Sequence, residues 1–436
     1  MPPTEDPSPP STPFVRWREV RPAPGAVVAP DERLPWGQTA AMGLQHVVAM
    51  FGATVLAPIL MGFNPNLAIL MSGIGTLIFF ALTRGRVPSY LGSSFAFIGV
   101  VIAATGYAGQ RPNANTAVTL GGIVGCGVAY VLIGLLVQAA GTGWIERFMP
   151  PVVTGAIVAV IGLNLAAVPV KNMAQGNFDA WMQALTFLSV AAVAVFARGM
   201  LQRLLILAGL VLATVFYALL TNGLGWGRPV DLSGVAAAAW FGLPVFTAPA
   251  FSAHVLLLIV PVAVILVAEN LGHLKAVTAM TGRNLDPYIG RAFIGDGVAT
   301  IVSGGVGGTG VTTYAENIGV MAATRIYSTA VFVVAAAIAV LLGFSPKFGA
   351  VIQAIPLPVM GGVSIVVFGL IAISGAKIWV DNRVDFSRND NLVVAAITLI
   401  VGTGDFTLKF GDFALGGIGT ATFGAVILWA LLGRRG

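Results

Sequence analysis

Long apolar runs alternate with short polar connections from residue 37 to residue 433. Most of these runs are long enough to cross the hydrocarbon core of a bilayer as a helix, which takes roughly 20 residues. The pattern predicts apolar helices at approximately 37–61, 66–83, 117–140, 150–169, 180–198, 203–222, 253–274, 289–303, 326–343, 355–375, 391–405 and 414–433. We therefore expect an all-α polytopic membrane protein.

Two further apolar pieces are interrupted, and the first lies near 89–106. Pro88 and Gly92 break its helical pattern, and Ser93 and Ser94 then precede a helical run, as N-cap residues do. Non-helical backbone survives at membrane depth only where it is buried in protein or lines a watery cavity. The sequence therefore predicts an extended segment followed by a half-helix.

The second interrupted piece, near 309–324, follows a stretch in which glycines at 304, 305, 307, 308 and 310 oppose helix propagation. Val311-Thr312-Thr313-Tyr314 indicates a short extended segment, and helical spacing resumes from Glu316. An ionisable residue inside a membrane is a functional candidate by default. We expect Glu316 to belong to a substrate site. The alternative is a structural carboxylate that caps the half-helix beside it.

The two interrupted pieces come third and tenth among about fourteen crossings, so each is the third element of a seven-span half. An odd number of spans inverts the second half relative to the first, and interrupted helices at matching positions indicate a transport site near the bilayer midplane. The expected fold is therefore 14 transmembrane spans in two inverted 7-span repeats, with short extended segments and half-helices in spans 3 and 10. Internal sequence similarity is faint, so this repeat rests on topology alone.

The distribution of basic residues predicts the orientation. If the amino terminus is cytoplasmic and the spans alternate, 18 of the 23 Lys and Arg residues fall on the inner side. The other five are Arg111, Lys171, Arg228, Lys347 and Lys409. This asymmetry satisfies the positive-inside rule. We expect a multi-pass protein of the cytoplasmic (inner) membrane with both termini in the cytoplasm.

Composition agrees with this class. Only 9% of the 436 residues are charged, and the mean hydropathy of +0.91 excludes a set of soluble domains. The net charge of +6 does not predict nucleic-acid binding, because the basic residues are spread over short loops. Cys126 is the only cysteine, which excludes a disulfide framework. Residues 1–35 are rich in proline and charge, and we expect a disordered cytoplasmic tail.

A second set of ionisable residues lies in the span before the second interrupted piece. Glu269 and His273 are four residues apart, so they share one face of a helix. A charge is costly at the centre of a membrane helix, so the pair should face the protein interior. The alternative for His273, which Lys275 follows closely, is an ordinary interfacial group at a helix end.

These groups suit one kind of ligand. Carboxylates accept hydrogen bonds from ring N–H groups, and free backbone amides at the two breaks donate to ring carbonyls. A planar heterocycle fits, with Phe95 and Tyr314 packing on its faces. Ionised Glu269 and Glu316 would repel an inorganic anion. Glu269, His273 and Glu316 are also candidates for binding and releasing a proton.

Other chemistries match less well. The glycine-rich loop before a helix resembles a phosphate cradle, but no Gly-Lys-Ser/Thr follows Gly310. Glu269 and His273 alone are too few ligands for zinc, so an intramembrane hydrolase is a weak alternative. We expect no enzyme activity, no metal and no cofactor, with the proton as the coupling ion.

Several longer motifs occur in order along the chain. They are Gly43-Leu-Gln-His-Val-Val-Ala-Met-Phe-Gly-Ala-Thr54, Tyr90-Leu-Gly-Ser-Ser-Phe-Ala-Phe97, Glu269-Asn-Leu-Gly-His273, Tyr314-Ala-Glu-Asn-Ile-Gly-Val-Met-Ala-Ala-Thr-Arg325 and Ile355-Pro-Leu-Pro-Val-Met-Gly-Gly-Val-Ser364. Together they resemble the nucleobase-ascorbate transporter family. The form with Glu316, where purine carriers commonly have Gln, is similar to bacterial uracil permeases. The resemblance covers about residues 40 to 433.

The resemblance implies proton-coupled uptake of uracil by alternating access. It implies that Glu269 and Glu316 hydrogen-bond the pyrimidine, that the amides of Phe95 and Ala315 meet its carbonyls, and that His273 takes part in proton coupling. Ala315 replaces the glycine that similar uracil permeases tend to have, and its methyl group would tighten the pocket or tilt the ring. The alternatives are a purine (xanthine-type) permease of the same family and, more remotely, an anion exchanger of the same fold.

The resemblance also implies two domains. A core domain of residues 36–146 (spans 1–4) and 251–348 (spans 8–11) would hold the substrate. A gate domain of residues 147–250 (spans 5–7) and 349–436 (spans 12–14) would move against it. Related carriers often form homodimers through the gate domain, and membrane lipid is the other expected partner. His46, in the first span, is expected to hydrogen-bond to a neighbouring helix.

Overall fold

The computed structural model describes residues 14–23, 25–107, 112–198, 202, 204–410 and 413–433. In the first half, the elements are β1 (Arg18–Glu19), β2 (Glu32–Arg33), α1 (Trp36–Met61), α2 (Pro65–Leu82), β3 (Leu91–Ser93), α3 (Ala96–Thr105), α4 (Thr116–Ala140), α5 (Gly143–Phe148), α6 (Pro151–Leu165), α7 (Ala167–Asn172), α8 (Asn177–Phe196) and α9 (Leu205–Ala218), which a π-helical turn at Leu219–Gly223 extends.

The elements of the second half follow the same pattern of long helices with one interruption. They are α10 (Ser233–Ala237), α11 (Ala253–Ile259), α12 (Val262–Thr281), a 3₁₀ turn at Asp286–Tyr288, α13 (Ile289–Val306), β4 (Val311–Thr313), α14 (Ala315–Thr324), α15 (Thr329–Gly343), α16 (Pro346–Gln353), α17 (Leu357–Asp381), α18 (Asn389–Thr403), β5 (Leu408–Phe410), β6 (Phe413–Leu415) and α19 (Gly417–Leu432).

Many of these helices have the length and composition of membrane spans. Among the described residues, eight helices qualify, and a ninth is added if α15 and α16, which meet at 82°, form one bent span. The helices α3, α18 and α19 are shorter but also apolar. The protein is therefore a mostly helical, polytopic membrane protein, as the apolar runs predicted.

Both predicted interruptions are confirmed. Each consists of a three-residue strand followed by a ten-residue helix, β3 with α3 and β4 with α14. The two strands pair with each other in antiparallel orientation, with Leu91 opposite Thr313 and Ser93 opposite Val311. The half-helices α3 and α14 therefore begin at opposite ends of this short strand pair.

Corresponding hydrogen bonds hold the two strands. Thr76 on α2 accepts from the Leu91 N–H at 2.9 Å, and Thr300 on α13 accepts from the Val311 N–H at 3.2 Å. Both threonines are buried, and each lies on the helix that precedes its strand. The extended backbone thus has internal hydrogen-bond partners, as its burial away from water requires.

Glycine allows the two interruptions to cross closely. A Cβ atom at position 92 would lie 2.4 Å from the ring of Tyr314, and one at position 310 would lie 2.2 Å from the ring of Phe97. Real Cβ atoms do not come this close to another side chain, so only glycine fits at Gly92 and Gly310.

Two helix ends lie beyond their predicted positions. α13 continues through two of the glycines that were expected to stop it and ends at Gly307, whose φ is +107°. The helix tolerates Gly304 because the small residue packs against α4, where a Cβ atom would lie 3.0 Å from Ile123. α12 continues to Thr281, about two turns past the predicted end at residue 274.

The long helices pack in two groups. The first helix group contains α1, α2, α4, α11, α12, α13 and α15, and its main contacts are α4 with α13, α2 with α15, α2 with α13 and α1 with α15. The second helix group contains α6, α8, α9, α17, α18 and α19, and its main contacts are α6 with α17, α8 with α9, α8 with α17 and α18 with α19. The paired strands β3 and β4 pack with the first helix group.

The amino-terminal region differs from the prediction of a disordered tail over residues 1–35. Its first 13 residues and residue 24 lie outside the described residues, but the remainder is packed on the protein. β1 and β2 pair in parallel, and Arg18 forms a 2.5 Å salt bridge with Glu32. Val28 is fully buried and bridges to Ile326. Burial of a few apolar side chains such as Val28 therefore orders this segment despite its polar composition.

The charge of Glu32 also stabilises this region. Burial acts to raise the pKa of Glu32, but hydrogen bonds from the Arg18 guanidinium and the Ala29 amide outweigh it and hold the pKa below its ordinary value. A carboxyl group whose pKa is lowered by folding contributes stability above its ordinary pKa and loses it as the pH falls through the lowered value. We expect this contribution to be present in full at neutral pH.

Candidate functional site

Glu269 and Glu316 lie on the two helices beside the strand pair. Glu269 is near the middle of α12, and Glu316 is the second residue of α14. Both side chains are partly accessible, whereas residues 311–314 and most of the central part of α12 are buried. The two carboxyl groups are close enough for their charges to interact. The structure therefore brings together the two acidic residues that the sequence singled out.

An accessible stripe leads away from the acidic pair. Its positions are 269, 272, 273 and 276 on α12 and 315, 316, 319 and 322 on α14, which are among the accessible residues of these helices. Their spacing of three or four residues places them on one face of each helix. A Cβ atom at Gly272 or Gly319 would meet no atom within 4 Å. Open space therefore continues from the acidic pair towards the carboxyl-terminal ends of α12 and α14.

Two backbone amides, one at the start of each half-helix, are unpaired. The Ser94 N–H donates to the Gly310 carbonyl at 2.9 Å, and the Tyr314 N–H donates to the Tyr90 carbonyl at 3.0 Å. The next amide in each segment has no hydrogen-bond acceptor among the described residues. These two amides belong to Phe95 and Ala315, the residues at which the resemblance implied contacts to a ring carbonyl. An unpaired N–H beside open space is a donor available to a ligand.

The predicted caps of the first half-helix divide into two roles. The Ser94 hydroxyl accepts from the Ala96 N–H at 3.2 Å, so it satisfies the first amide of α3, although Phe95 is the N-cap residue. The Ser93 hydroxyl instead donates to the Thr54 carbonyl and accepts from the Thr309 hydroxyl at 2.7 Å. Ser93 therefore ties the first interruption to α1 and to the loop before β4.

Tyr314 does not lie where the sequence analysis placed it. Its side chain is 3% exposed, and its hydroxyl donates to the Ser93 carbonyl at 2.8 Å and contacts the Thr54 hydroxyl at 3.2 Å. Tyr314 thus joins the two interruptions and offers no ring face to the open space. Phe95 is partly accessible, and its ring meets Phe368 of α17 edge to face at 6.1 Å.

His273 is held by a polar network behind the open space. Its Nδ1 lies 2.9 Å from the Thr313 hydroxyl, which donates to the Asn270 side-chain oxygen at 3.0 Å. The Asn270 amide nitrogen donates to Asp296 and, at 2.9 Å, to the Tyr130 hydroxyl. His273 is therefore positioned by neighbouring elements within the protein, and it is not an interfacial group at a helix end.

The same network fixes the tautomer of His273. The carboxylate of Asp296 accepts from Asn270, which turns the Asn270 oxygen towards Thr313. Thr313 donates its single hydroxyl proton to the Asn270 oxygen, so its own oxygen accepts from His273 Nδ1–H. In the neutral ring, Nε2 is left as an acceptor for a proton.

Asp296 is the site residue that the sequence analysis missed. It is fully buried on α13, and its Oδ1 has no hydrogen-bond partner among the described residues. Its signal was available, because an acidic residue within the predicted span 289–303 is costly unless it has a function. Thr313 and Asn270, which connect Asp296 to His273, gave no such signal.

His46 is buried away from the open space. Its Nδ1 and its carbonyl oxygen both lie 3.0 Å from the side-chain nitrogen of Asn317, and its ring packs at 4.7 Å from that of Phe332. It therefore links α1 to the half-helix α14.

A large cavity lies between the two helix groups. Its volume is about 1500 Å³, and both helix groups contribute to its lining, which includes Asn64, Thr247, Lys171, Arg228 and Met360. Lys171 and Arg228 belong to the side that the distribution of basic residues assigned to the outside, while Arg111, from the same set, lies outside the described residues. Neither Glu269 nor Glu316 lines this cavity, which we call the vestibule.

The described part of the chain contains no group of three or more His, Cys, Asp or Glu side chains arranged to hold a metal ion. The polar groups of the site are instead two carboxyl groups, one imidazole and two unpaired amides. Such a set is suited to binding a neutral polar ring and a proton.

Comparison with known proteins identifies relatives over nearly the whole chain. Residues 37–410 match the model of a family described as "Permease family". The chain is 67% identical to the "Putative pyrimidine permease RutG" of Escherichia coli (strain K12), over 94% of this chain and 92% of that one. It is 41% identical to the "Uracil permease" of Bacillus caldolyticus, over 93% and 94%.

Two solved structures share the fold. The transmembrane domain of a cyanobacterium bicarbonate transporter, BicA, superposes with a TM-score of 0.61 at 17% identity, covering 84% of this chain and 96% of that one. The murine Solute Carrier 26 family member A9 anion transporter, in its inward-facing state, gives a TM-score of 0.63 at 12% identity, covering 90% and 67%. At these identities, the likeness establishes the fold alone.

The relatives agree with the resemblance that the motifs around Glu316 indicated. They are named as permeases, and none of those compared above is an enzyme. The chain therefore belongs to the permease family that includes the nucleobase-ascorbate transporters, and it is a nucleobase permease by family.

Proposed function

We propose that this protein imports uracil together with a proton across the cytoplasmic membrane by alternating access. The observation that carries the proposal is the combination of two unpaired amides, at Phe95 and Ala315 where the half-helices begin, with the interacting carboxyl groups of Glu269 and Glu316 on the helices beside the strand pair. The names of the relatives, a pyrimidine permease and a uracil permease, support the choice of ligand.

Uracil presents two ring N–H donors and two carbonyl acceptors in one plane. The carboxyl groups of Glu269 and Glu316 accept from the N–H groups, and the amides of Phe95 and Ala315 donate to the carbonyls. The partly accessible ring of Phe95 packs beside the ligand. Tyr314 is not part of this contact set, because its hydroxyl is bonded to the other interruption.

Proton coupling involves the same space. We propose that the proton binds among Glu269, Glu316 and Nε2 of His273, which the network from Asp296 leaves free to accept it. A shared proton reduces the repulsion between neighbouring carboxylates, so proton and uracil binding favour one another. No cofactor takes part in this scheme.

Helix packing supports an inverted repeat of fourteen spans. In such a repeat, α2 and α4 of the first half correspond to α13 and α15 of the second. The contact of α4 with α13 then corresponds to that of α15 with α2, and the contact of α8 with α9 to that of α18 with α19. It also relates Thr76 to Thr300 and the free amide of Phe95 to that of Ala315. We propose that spans 1–4 and 8–11 form the core domain and that the remaining spans form the gate domain.

The accessible surfaces indicate how access alternates. The stripe on α12 and α14 leads towards the side rich in arginine, which we propose is the cytoplasm, where both termini lie. The vestibule lies on the other side, and the contact between Phe95 and Phe368 joins the two helix groups near the site. Movement of one group against the other would open each side in turn. Homodimerisation through the second helix group, whose α8 and α9 are mostly exposed, is part of the same proposal.

Uptake of labelled uracil into proteoliposomes tests the coupling. With an inward proton gradient, we expect accumulation above the external concentration, and a protonophore should reduce uptake to equilibration. The matched control is the same protein at equal pH on both sides, where entry should stop at equilibrium. Uptake that is indifferent to the gradient would contradict proton coupling while leaving uracil recognition intact.

A further inference from the structure

Two arginines flank the interrupted spans in an unfavourable backbone conformation. Arg84 lies between α2 and β3 with φ of 56°, and Arg325 lies between α14 and α15 with φ of 59°. In this left-handed region, the Cβ atom of a non-glycine residue crowds the following carbonyl oxygen. Such a conformation persists only where the surrounding structure holds it.

One segment contacts the backbone at both Arg84 and Arg325, which we call the Arg84 corner and the Arg325 corner. We call residues 14–23 and 25–33 the amino-terminal strap. The Val15 N–H donates to the Arg84 carbonyl at 3.2 Å, and the Val28 N–H donates to the Arg325 carbonyl at 3.0 Å. The Val28 carbonyl in turn accepts from the Tyr327 N–H at 2.8 Å. The strap therefore forms backbone hydrogen bonds with Arg84 and with both Arg325 and Tyr327.

Side chains anchor the strap between these points. The Trp17 ring packs at 5.8 Å from Phe80 of α2, and its indole N–H donates to the Thr329 hydroxyl of α15 at 2.9 Å. Asp31 forms a 2.6 Å salt bridge with Arg283, in the connection between α12 and α13. All these partners belong to the first helix group, which carries the site, or to its connections.

The far end of α14 controls the position of the site. Glu316 lies nine residues before Arg325, or about 13 Å along the helix at 1.5 Å per residue. A tilt of about 10° at Arg325 would therefore move Glu316 by about 2 Å. A displacement of about 1 Å is enough to spoil a binding or catalytic geometry.

We propose that the amino-terminal strap is a positioning element for the substrate site. It holds the corners at Arg84 and Arg325, and it moves with the first helix group during the transport cycle. Its effect on uracil rests on the proposed function, but its effect on the Arg325 corner does not.

Proline substitution in the full-length protein tests the contact at Arg325. Val28→Pro removes the N–H that bonds Arg325. Val27→Pro is the matched control, because Val27 is 53% exposed and its amide has no partner among the described residues. We expect Val28→Pro to lower the melting temperature and to weaken uracil binding about fivefold or more, and Val27→Pro to change neither appreciably.

A rescue experiment separates positioning from general damage. Glycine adopts a φ of 59° without help, so Arg325→Gly should restore most of the melting temperature and of the uracil affinity when added to Val28→Pro. Equal losses in Val28→Pro and Val27→Pro, or no restoration by Arg325→Gly, would overturn the proposal. The melting temperature decides this even if uracil proves not to be the substrate.

A cross-link tests whether the strap moves with the first helix group. Val28 and Ile326 are bridge partners, and Cys126→Ala removes the only native cysteine. In that background, Val28→Cys and Ile326→Cys should form a disulfide on oxidation without loss of uptake. Uptake that stops on oxidation and returns on reduction would show that the strap must detach, and it would contradict the proposal.

Discussion

Replacing Glu316 with alanine is expected to weaken uracil binding by about 30- to 150-fold. A hydrogen bond to a charged group contributes about 2–3 kcal/mol when its partner is left unpaired in a site shielded from water, and 1.4 kcal/mol corresponds to a factor of ten. Glu316 is the second residue of α14, beside the unpaired amide of Ala315, so its loss removes an acceptor from the centre of the site. Isothermal titration of the purified protein with uracil measures the change.

Two further variants make this test specific. Glu316→Gln keeps the side-chain length and one acceptor oxygen, so we expect a smaller loss than with alanine. Glu146→Ala removes a glutamate that is paired with Lys275 and half exposed, and it should leave uracil affinity unchanged. Unchanged affinity in Glu316→Ala would remove this residue from the site.

Replacing Asp296 with alanine is expected to reduce proton-driven uptake by about tenfold or more while lowering uracil affinity less. The Asp296 carboxyl group accepts from Asn270, and its removal leaves one of the two N–H groups of this buried amide without an acceptor, at a cost of about 1–3 kcal/mol. Asn270 is then held only by Tyr130 and Thr313, so its orientation, and with it the tautomer of His273, is less firmly fixed. Uptake as a function of external pH, measured beside binding at fixed pH, separates the two effects.

Two control variants accompany Asp296→Ala. One replaces Asp296 with the amide of the same shape, and the other removes an exposed acidic side chain elsewhere. Asp296→Asn keeps an oxygen that accepts from Asn270, so it should retain more uptake than Asp296→Ala. Asp286→Ala changes an acidic side chain that is 54% exposed in the connection before α13, and it should have no effect. Equal loss of binding and of uptake in Asp296→Ala, with no change in the pH profile, would contradict a role in coupling.

Local signals in the sequence were sufficient for the architecture of the two interruptions. Gly92 and Gly310 stand where another side chain would meet an aromatic ring, and Val311-Thr312-Thr313 forms the strand that its composition indicated. Glu269 and Glu316 were identified because a charge within an apolar run has few structural uses, and the same signal at Asp296 was overlooked. Each of these inferences depended on residues close together in the chain.

Features that depend on distant contacts were not predictable in this way. The hydroxyl of Tyr314 bonds the carbonyl of Ser93, 221 residues away, and this contact removes its ring from the ligand. The amino-terminal strap has a polar composition, and its order depends on Val28 meeting the corner after α14. The apolar run predicted at 326–343 ends with α15, but nothing in the pattern predicted the short helix α16 or the 82° bend between the two helices.

The proposed repeat of the two halves was hard to detect in the sequence for a similar reason. Thr76 and Thr300 occupy corresponding places, yet they precede their strands by 15 and 11 residues. A comparison of the two halves by sequence does not align them, because the hydrogen bond requires a hydroxyl at a position in space and not at a fixed distance along the chain.

If the two interrupted helices present acidic groups and free amides to a ligand, that ligand should be a flat, uncharged pyrimidine. Competition binding to the purified protein, with labelled uracil displaced by uracil, xanthine, adenine or sulfate, measures this preference. We expect displacement by uracil at the lowest concentration, weaker displacement by the purines and none by sulfate. Displacement by sulfate, or the absence of any uracil binding, would contradict this expectation.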